Sequence, residues 1–270
     1  MNKMFRPVIK WSGSKRTQAY EILKYIPEYK TYYEPFLGGG SMLYVVEPKK
    51  AICGDICTPL IEIWNLIKND PEKLSKSYKK NWELLQKDYR HFFKVRDSFN
   101  IKYDGESLFF LSRTCVNGLI RFNSKGEFNN SLHYSRKGIN PETMDSIIYE
   151  WNKKISNVKF KSCDYKLLTK KASEGDFIYL DPPYYNTKGR YYTNKTIDFD
   201  EFIEYLRDLN RKNIKFALSF DGIRGNKEYE NIIPKDVYKR HVFLKSGKST
   251  FRKIMDKENE DVFESLYLNY

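Results

Sequence analysis

The sequence is short of cysteine and shorter still of histidine. Its four cysteines, Cys53, Cys57, Cys115 and Cys163, form no C-x-x-C pair, and His91, His133 and His241 lie far from them in the chain. That spacing supports neither a zinc site nor a disulfide framework. The cysteines read as reduced, mostly buried thiols, and no metal is expected. No apolar run approaches the length of a membrane span, and residues 1–10 carry no signal-peptide core. A soluble, cytoplasmic protein without a membrane partner is expected. Acidic residues are scarce as well: 35 stand against 48 lysines and arginines, for a formal net charge of +13. Such an excess calls for a polyanionic partner, nucleic acid or an anionic membrane surface, and without a spanning segment nucleic acid is favoured.

Aromatic residues, by contrast, are plentiful, with 22 Tyr and 18 Phe in 270 residues. The length suits one large domain, or one core with an inserted unit. Over residues 5–66 short apolar runs alternate with helical stretches. Periodicity predicts helices over 15–26, 41–46 and 59–68 and strands over 31–34 and 51–54. The strand signal then fades. Helices are predicted over 71–100, 106–116 and 141–153, with a hairpin over 118–130 turning at Asn123-Ser124-Lys125-Gly126. Strands return at 158–160, 177–180, 214–220, 242–244 and 262–267, with a helix over 200–210. The expected fold is a doubly wound, Rossmann-like α/β domain made of residues 1–66 and 158–270. A mainly helical insertion over 67–157 carries the hairpin.

Three segments carry candidate ligand chemistry at the amino-terminal end. Glu34-Pro35-Phe36-Leu37-Gly38-Gly39-Gly40-Ser41 follows a predicted strand and opens a predicted helix, so its glycines let a ligand approach the backbone. The segment lacks dinucleotide spacing, because Leu43 stands where the last glycine should be. Adenosine therefore fits better than a phosphate. Asp55 ends the next predicted strand, where an acid can accept both ribose hydroxyls; as a plain helix cap before Thr58-Pro59 it would serve equally well. Lys10-Trp11-Ser12-Gly13-Ser14-Lys15 places an indole and an ammonium beside a turn, able to meet a sulfonium and a carboxylate. Trp11 in a core and Lys15 in solvent is the alternative.

The strongest motif is Asp181-Pro182-Pro183-Tyr184, directly after the apolar run Phe177–Leu180. Ligands of open α/β sheets bind at strand carboxyl ends. The prolines remove two N–H donors and leave carbonyls free to accept, and an ionised aspartate adds further acceptors. This suits an amino group that must donate two hydrogen bonds, here to Asp181 and the Pro182 carbonyl. The nitrogen lone pair then leaves ring conjugation and can attack a sulfonium methyl, with Tyr184 stacked on the base.

Together these segments resemble the Dam-type (alpha-group) DNA adenine-N6 methyltransferases, over nearly the whole chain and in the same motif order. Cys163-Asp164 is similar to that family's short motif whose acid faces the cofactor's adenine. The resemblance implies S-adenosyl-L-methionine as cofactor, contacted by Trp11, Lys15, Phe36, Gly38, Gly40, Asp55, Asp164 and Asp181. It implies Asp181, Pro182, Pro183 and Tyr184 as the catalytic tetrad. Ser14 departs from the family pattern, in which a second glycine is frequent there.

The resemblance also places target recognition in the insertion, with double-stranded DNA as partner. The segment from Asn117 to Asn129 is similar to the family's DNA-contacting hairpin, and makes Asn117, Arg121 and Asn123 candidates for phosphate or base edges. Past Asn130 the Pro-Phe-Gly segment of GATC-methylating relatives is replaced by Ser131-Leu132-His133-Tyr134-Ser135-Arg136-Lys137, so the recognised sequence stays open. Arg136, Lys137, Lys188, Arg190, Lys248 and Arg252 complete the DNA-contact candidates. Within the same chemistry cytosine-N4 is the other acceptor. From other classes, a catalytically silent sequence-specific DNA-binding protein and a nicotinamide oxidoreductase are the alternatives; the intact tetrad opposes the first, and the glycine spacing and charge the second. A cognate restriction endonuclease and a monomeric or weakly dimeric state are further expectations, for a restriction–modification, phage or orphan role.

Overall fold

The computed structural model describes residues 5–183, 197–220, 233–248 and 261–270. Its sheet is built from β1 (Tyr32–Glu34), β2 (Ala51–Asp55), β3 (Val158–Ser162), β4 (Phe177–Leu180), β5 (Lys215–Phe220), β6 (Arg240–Lys248) and β7 (Asp261–Leu268). The spatial order is β3-β2-β1-β4-β5-β7-β6. The first five of these run parallel, while β7 is antiparallel to both of its neighbours, β5 and β6. This is the doubly wound α/β architecture expected from the alternation of strands and helices.

The short central strands are apolar because helices cover both of their faces. All four residues of β4 are buried, and alternation sends them to opposite sides. Phe177 and Tyr179 join one core with Tyr32 of β1, whereas Ile178 and Leu180 join a second with Tyr33. The second core is closed by α9 (Phe199–Arg211), whose Phe202, Ile203, Tyr205, Leu206 and Leu209 form one buried stripe. The first is larger. It continues without a break from the sheet into α3 (Thr58–Asn69), α4 (Pro71–Lys87), α5 (Arg90–Lys102), α6 (Gly105–Thr114) and α7 (Pro141–Lys154). Trp64 of α3 stands at its centre, 5.1 Å from the Trp151 ring and stacked at 5.8 Å on Phe160.

Several elements differ from the sequence expectation for local reasons. The helix expected over 15–26 is only α1 (Ala19–Leu23). Pro27 restricts Ile26 and keeps a helix from extending to it, and the chain before Ala19 serves the site described below. The single helix expected over 71–100 is broken at Asp88, whose backbone is extended and whose carboxylate accepts from the Arg90 N–H at 2.9 Å. One aspartate thereby ends α4 and starts α5. The hairpin expected over 118–130 has one bridge of its own, Phe122 to Phe128, preceded by a short 3-10 turn at Val116–Gly118. Both rings turn inward onto Phe99, at 6.3 and 6.1 Å, so the segment is anchored by its aromatics rather than by a ladder. The short helices α2 (Ser41–Val46) and α8 (Tyr165–Thr169) complete the described elements; the sequence pattern anticipated only the first.

Trp64 joins this core to the loop after β1, because its indole N–H donates to the Gly38 carbonyl at 3.2 Å. Trp64→Ala is expected to destabilise the protein by about 3–5 kcal/mol, as large-to-small changes of buried tryptophan do. Chemical denaturation checks this, and a loss under about 1 kcal/mol would show that the core closes over the gap.

Candidate active site

In a doubly wound sheet a crevice opens where successive connections run in opposite directions, outside the carboxyl ends of the strands. Here that point lies between β1 and β4, which are hydrogen-bonded neighbours although far apart in sequence. Glu34 closes β1, Asp181 follows β4, and Asp55 closes β2 alongside. The alternation of strand and helix thus gathers three acids at one edge.

The loop after β1 is shaped by what presses on it. Gly38 and Gly40 have φ of +48° and +67°, in the left-handed region that favours glycine. A β-carbon on Gly38 would lie 2.7 Å from Trp11 Cδ1, and one on Gly40 would lie 2.8 Å from Trp64 Cη2. Trp11 is therefore a wall of the glycine loop, 9% exposed. The loop is tied to β2 by the Leu37 N–H on the Gly54 carbonyl at 2.9 Å and by the Gly38 N–H on Asp55 Oδ2 at 3.2 Å. The other Asp55 oxygen accepts from the Cys57 N–H at 3.0 Å. Burial pushes the Asp55 carboxyl from its usual 3.8 up to about 6, against the pull of these amides.

At the β4 edge, the Lys15 ammonium lies 2.7 Å from Asp181 Oδ1 and 3.6 Å from Glu264 Oε2 of β7. The Lys15 side chain is 4% exposed and that of Asp181 19%. Ser14 helps fix the segment, its hydroxyl 2.7 Å from that of Ser41 at the start of α2. Desolvation raises the Asp181 carboxyl from 3.8 to about 6, Lys15 opposes that rise, and the Glu264 charge adds to it. Glu34 is more deeply sunk. Tyr32 Oη donates to it at 2.8 Å, yet burial lifts its carboxyl from 4.5 to about 8. Pro182 is buried and Pro183 exposed, while Tyr184 lies outside the described residues.

The remaining cofactor candidates are placed as follows. Phe36 is half-buried, its ring 5.4 Å from Tyr165 and 6.4 Å from Phe202. Asp164 is exposed, and its carboxylate caps α8 by accepting from the Lys166 N–H at 2.9 Å. Among the described residues no group of three or more histidines, cysteines, aspartates or glutamates could hold a metal ion.

Five of the nucleic-acid candidates lie on the hairpin and the loops flanking it. Asn117 is exposed, with φ of +57° in its turn. Arg121 donates to the Asn129 side chain at 2.9 Å and leaves an exposed guanidinium. Asn123 is committed to its own turn, its Oδ1 accepting from Lys125 and Glu127 N–H groups at 2.9 and 3.0 Å. Arg136 is exposed and Lys137 half-buried. Lys10 lies near Arg136, and burial with the charges of Arg113 and Arg136 lowers its ammonium below the usual lysine value. Lys248 ends β6, and Lys188, Arg190 and Arg252 lie outside the described residues.

Two members of this site carry no role in the sequence reading. Glu34 had a usable signal, an acid at a strand end like Asp55. Glu264 had none, because it reaches the site only through the antiparallel pairing of β7 beside β5.

The Glu34 environment makes stability depend on pH. Its folded value of about 8 exceeds the ordinary 4.5, so its stabilising contribution is complete below 4.5 and lost as pH rises to about 8. Glu34→Gln does not titrate. Relative to that variant, the parent protein is expected to lose stability across this window and to run parallel above it, by denaturation at a series of pH values. A constant difference between the two would contradict a buried, protonated Glu34.

Comparison with known proteins identifies the family. The chain is 30% identical to the Type II methyltransferase M.MjaIII of Methanocaldococcus jannaschii, over 98% of this chain and 99% of that protein. It is 32% identical to the Type II methyltransferase M1.LlaDCHI of Lactococcus lactis over 66% of each. It is 31% identical to a DNA adenine methylase of Serratia marcescens, covering 67% of this chain and 68% of the relative. The family profile described as D12 class N6 adenine-specific DNA methyltransferase matches residues 11–260. The chain therefore belongs to the D12 class of N6 adenine-specific DNA methyltransferases.

Proposed function

We propose that the protein methylates adenine N6 at a specific site in double-stranded DNA, with the base turned out of the helix and no metal taking part. The observation that carries this reading is the Lys15–Asp181 contact at the carboxyl end of β4, 2.7 Å long and largely screened from water. A carboxylate in that position is kept charged by its ammonium and can accept a hydrogen bond from a substrate amine.

S-adenosyl-L-methionine, when bound, supplies a methyl group already activated by a positively charged sulfur. The crevice suits it. Asp55 is held by two backbone amides with its carboxylate fixed at the end of β2, a fitting partner for ribose hydroxyls. Phe36 offers a half-buried ring at the same edge, and the glycine loop lets a ligand lie close to the backbone. Trp11, Gly38 and Gly40 act through the shape of that loop. Asp164 lies at the start of α8, where it can reach an adenine amine.

Asp181 and the Pro182 carbonyl accept the two hydrogens of the adenine amine, drawing the nitrogen lone pair out of the ring. Tyr184 stacks on the extruded base. Asp181 then takes the proton shed by the methylated nitrogen and passes it to water. No Lewis acid is required, since the leaving group needs no further activation. Residues 67–157 serve as the recognition insertion, with Arg121, Arg136 and Lys137 on phosphates or base edges. The full-length match to a Type II methyltransferase supports the modification half of a restriction–modification pair, with an endonuclease as cognate partner.

Replacing Asp181 by Ala is expected to lower methyl transfer about a thousandfold, since a charge-stabilising acceptor is lost, while DNA affinity is retained. Incorporation of labelled methyl and a parallel gel-shift titration measure the two. Activity within about tenfold of the parent would eliminate the proposed role.

A further inference from the structure

Lys15 carries one positive charge and faces two carboxylates, Asp181 Oδ1 at 2.7 Å and Glu264 Oε2 at 3.6 Å. The topology explains why the second acid is there. Ser265 of β7 pairs with Phe220, the last residue of β5, so Glu264 stands just beyond the carboxyl end of β5, on the same edge as Asp181. Glu264 is 21% exposed and Lys15 4%, so the three groups interact with little screening by water.

We propose that Glu264 is a positioning residue for methyl transfer: it shares the Lys15 charge with Asp181, and so preserves the acceptor strength that Asp181 needs for the substrate amine. This rests on the reading of Asp181 as the amine's acceptor. Acceptor strength follows basicity, and a carboxylate clamped by an undivided ammonium loses both. Lys15 lowers the basicity of Asp181, whereas the Glu264 charge raises it. Among the described residues, the other titratable groups facing Asp181 are Glu34 at the end of β1 and the Tyr179 phenol of β4. Burial keeps Glu34 protonated up to about pH 8 and raises Tyr179 well above its usual range. Among the described residues Glu264 is thus the acid placed to share Lys15 with Asp181.

The test compares the parent protein with Glu264→Gln and Glu264→Asp. Methyl transfer from labelled S-adenosyl-L-methionine to unmethylated genomic DNA is followed across roughly pH 5 to 9, and the acid limb and plateau are read separately. With Gln, Asp181 becomes less basic. The acid limb is expected to move to lower pH, and the plateau kcat to fall about tenfold, with KM for the cofactor unchanged. With Asp, the carboxylate is kept on a shorter stem and both shifts are smaller, in the same direction. A merely structural role would lower the plateau without moving the limb downward, and that result overturns the proposal. So does an unchanged profile. If Glu264→Gln does not fold, Glu264→Asp decides alone, and an unmoved limb there overturns it. An inactive parent protein would refute the proposed function itself, which separates that failure from this one.

Discussion

A carboxylate taken out of water tends to become neutral, and a neutral Asp181 could not play the proton-accepting part proposed for it. The contact between Lys15 and Asp181 opposes that tendency, and much of the site is arranged to make it. Lys15 comes from the amino-terminal segment and Asp181 from the end of β4, and the two meet at the carboxyl edge of the sheet. Lys15 lies in a segment outside α1 that the Ser14–Ser41 contact helps to hold.

The glycine loop follows from the same constraint. Trp11 precedes Lys15 by one turn of chain and closes over Gly38, while Trp64 closes over Gly40 and bonds the Gly38 carbonyl. Between these rings the backbone has no room for a side chain. Asp55 holds the far side of the loop through the Gly38 amide. Packing of the aromatic core and geometry of the polar crevice are thus one problem, solved by the same tryptophans. Trp11, for which a core place and a ligand-facing one are alternatives when only sequence is considered, is buried and packs against the glycine loop.

The fold was largely legible in sequence because buried parallel strands are short apolar runs closed by acids, as at Asp55 and Asp181. Side-chain commitments were much less legible. Asp88 reads as one more polar position in a long helix, yet its carboxylate breaks it. Asn123 and Asp164 have residue types suited to a base or an amine, and each is engaged by neighbouring backbone N–H groups. Local capping competes with ligand binding for the same short polar side chains, and sequence cannot rank them. Glu264 was invisible for another reason: its place depends on one antiparallel strand between two others, a long-range fact without local signature.

The charge balance at Asp181 underlies the proposed transfer to an amine, whereas adenine and DNA enter through family membership. The most direct measurement joins these. Unmethylated genomic DNA is incubated with the protein and S-adenosyl-L-methionine, then sequenced with modification-sensitive detection. N6-methyladenine at one recurrent motif is the expected result. Methyl groups on cytosine N4, or DNA left unmodified by an active cofactor-binding protein, would contradict it.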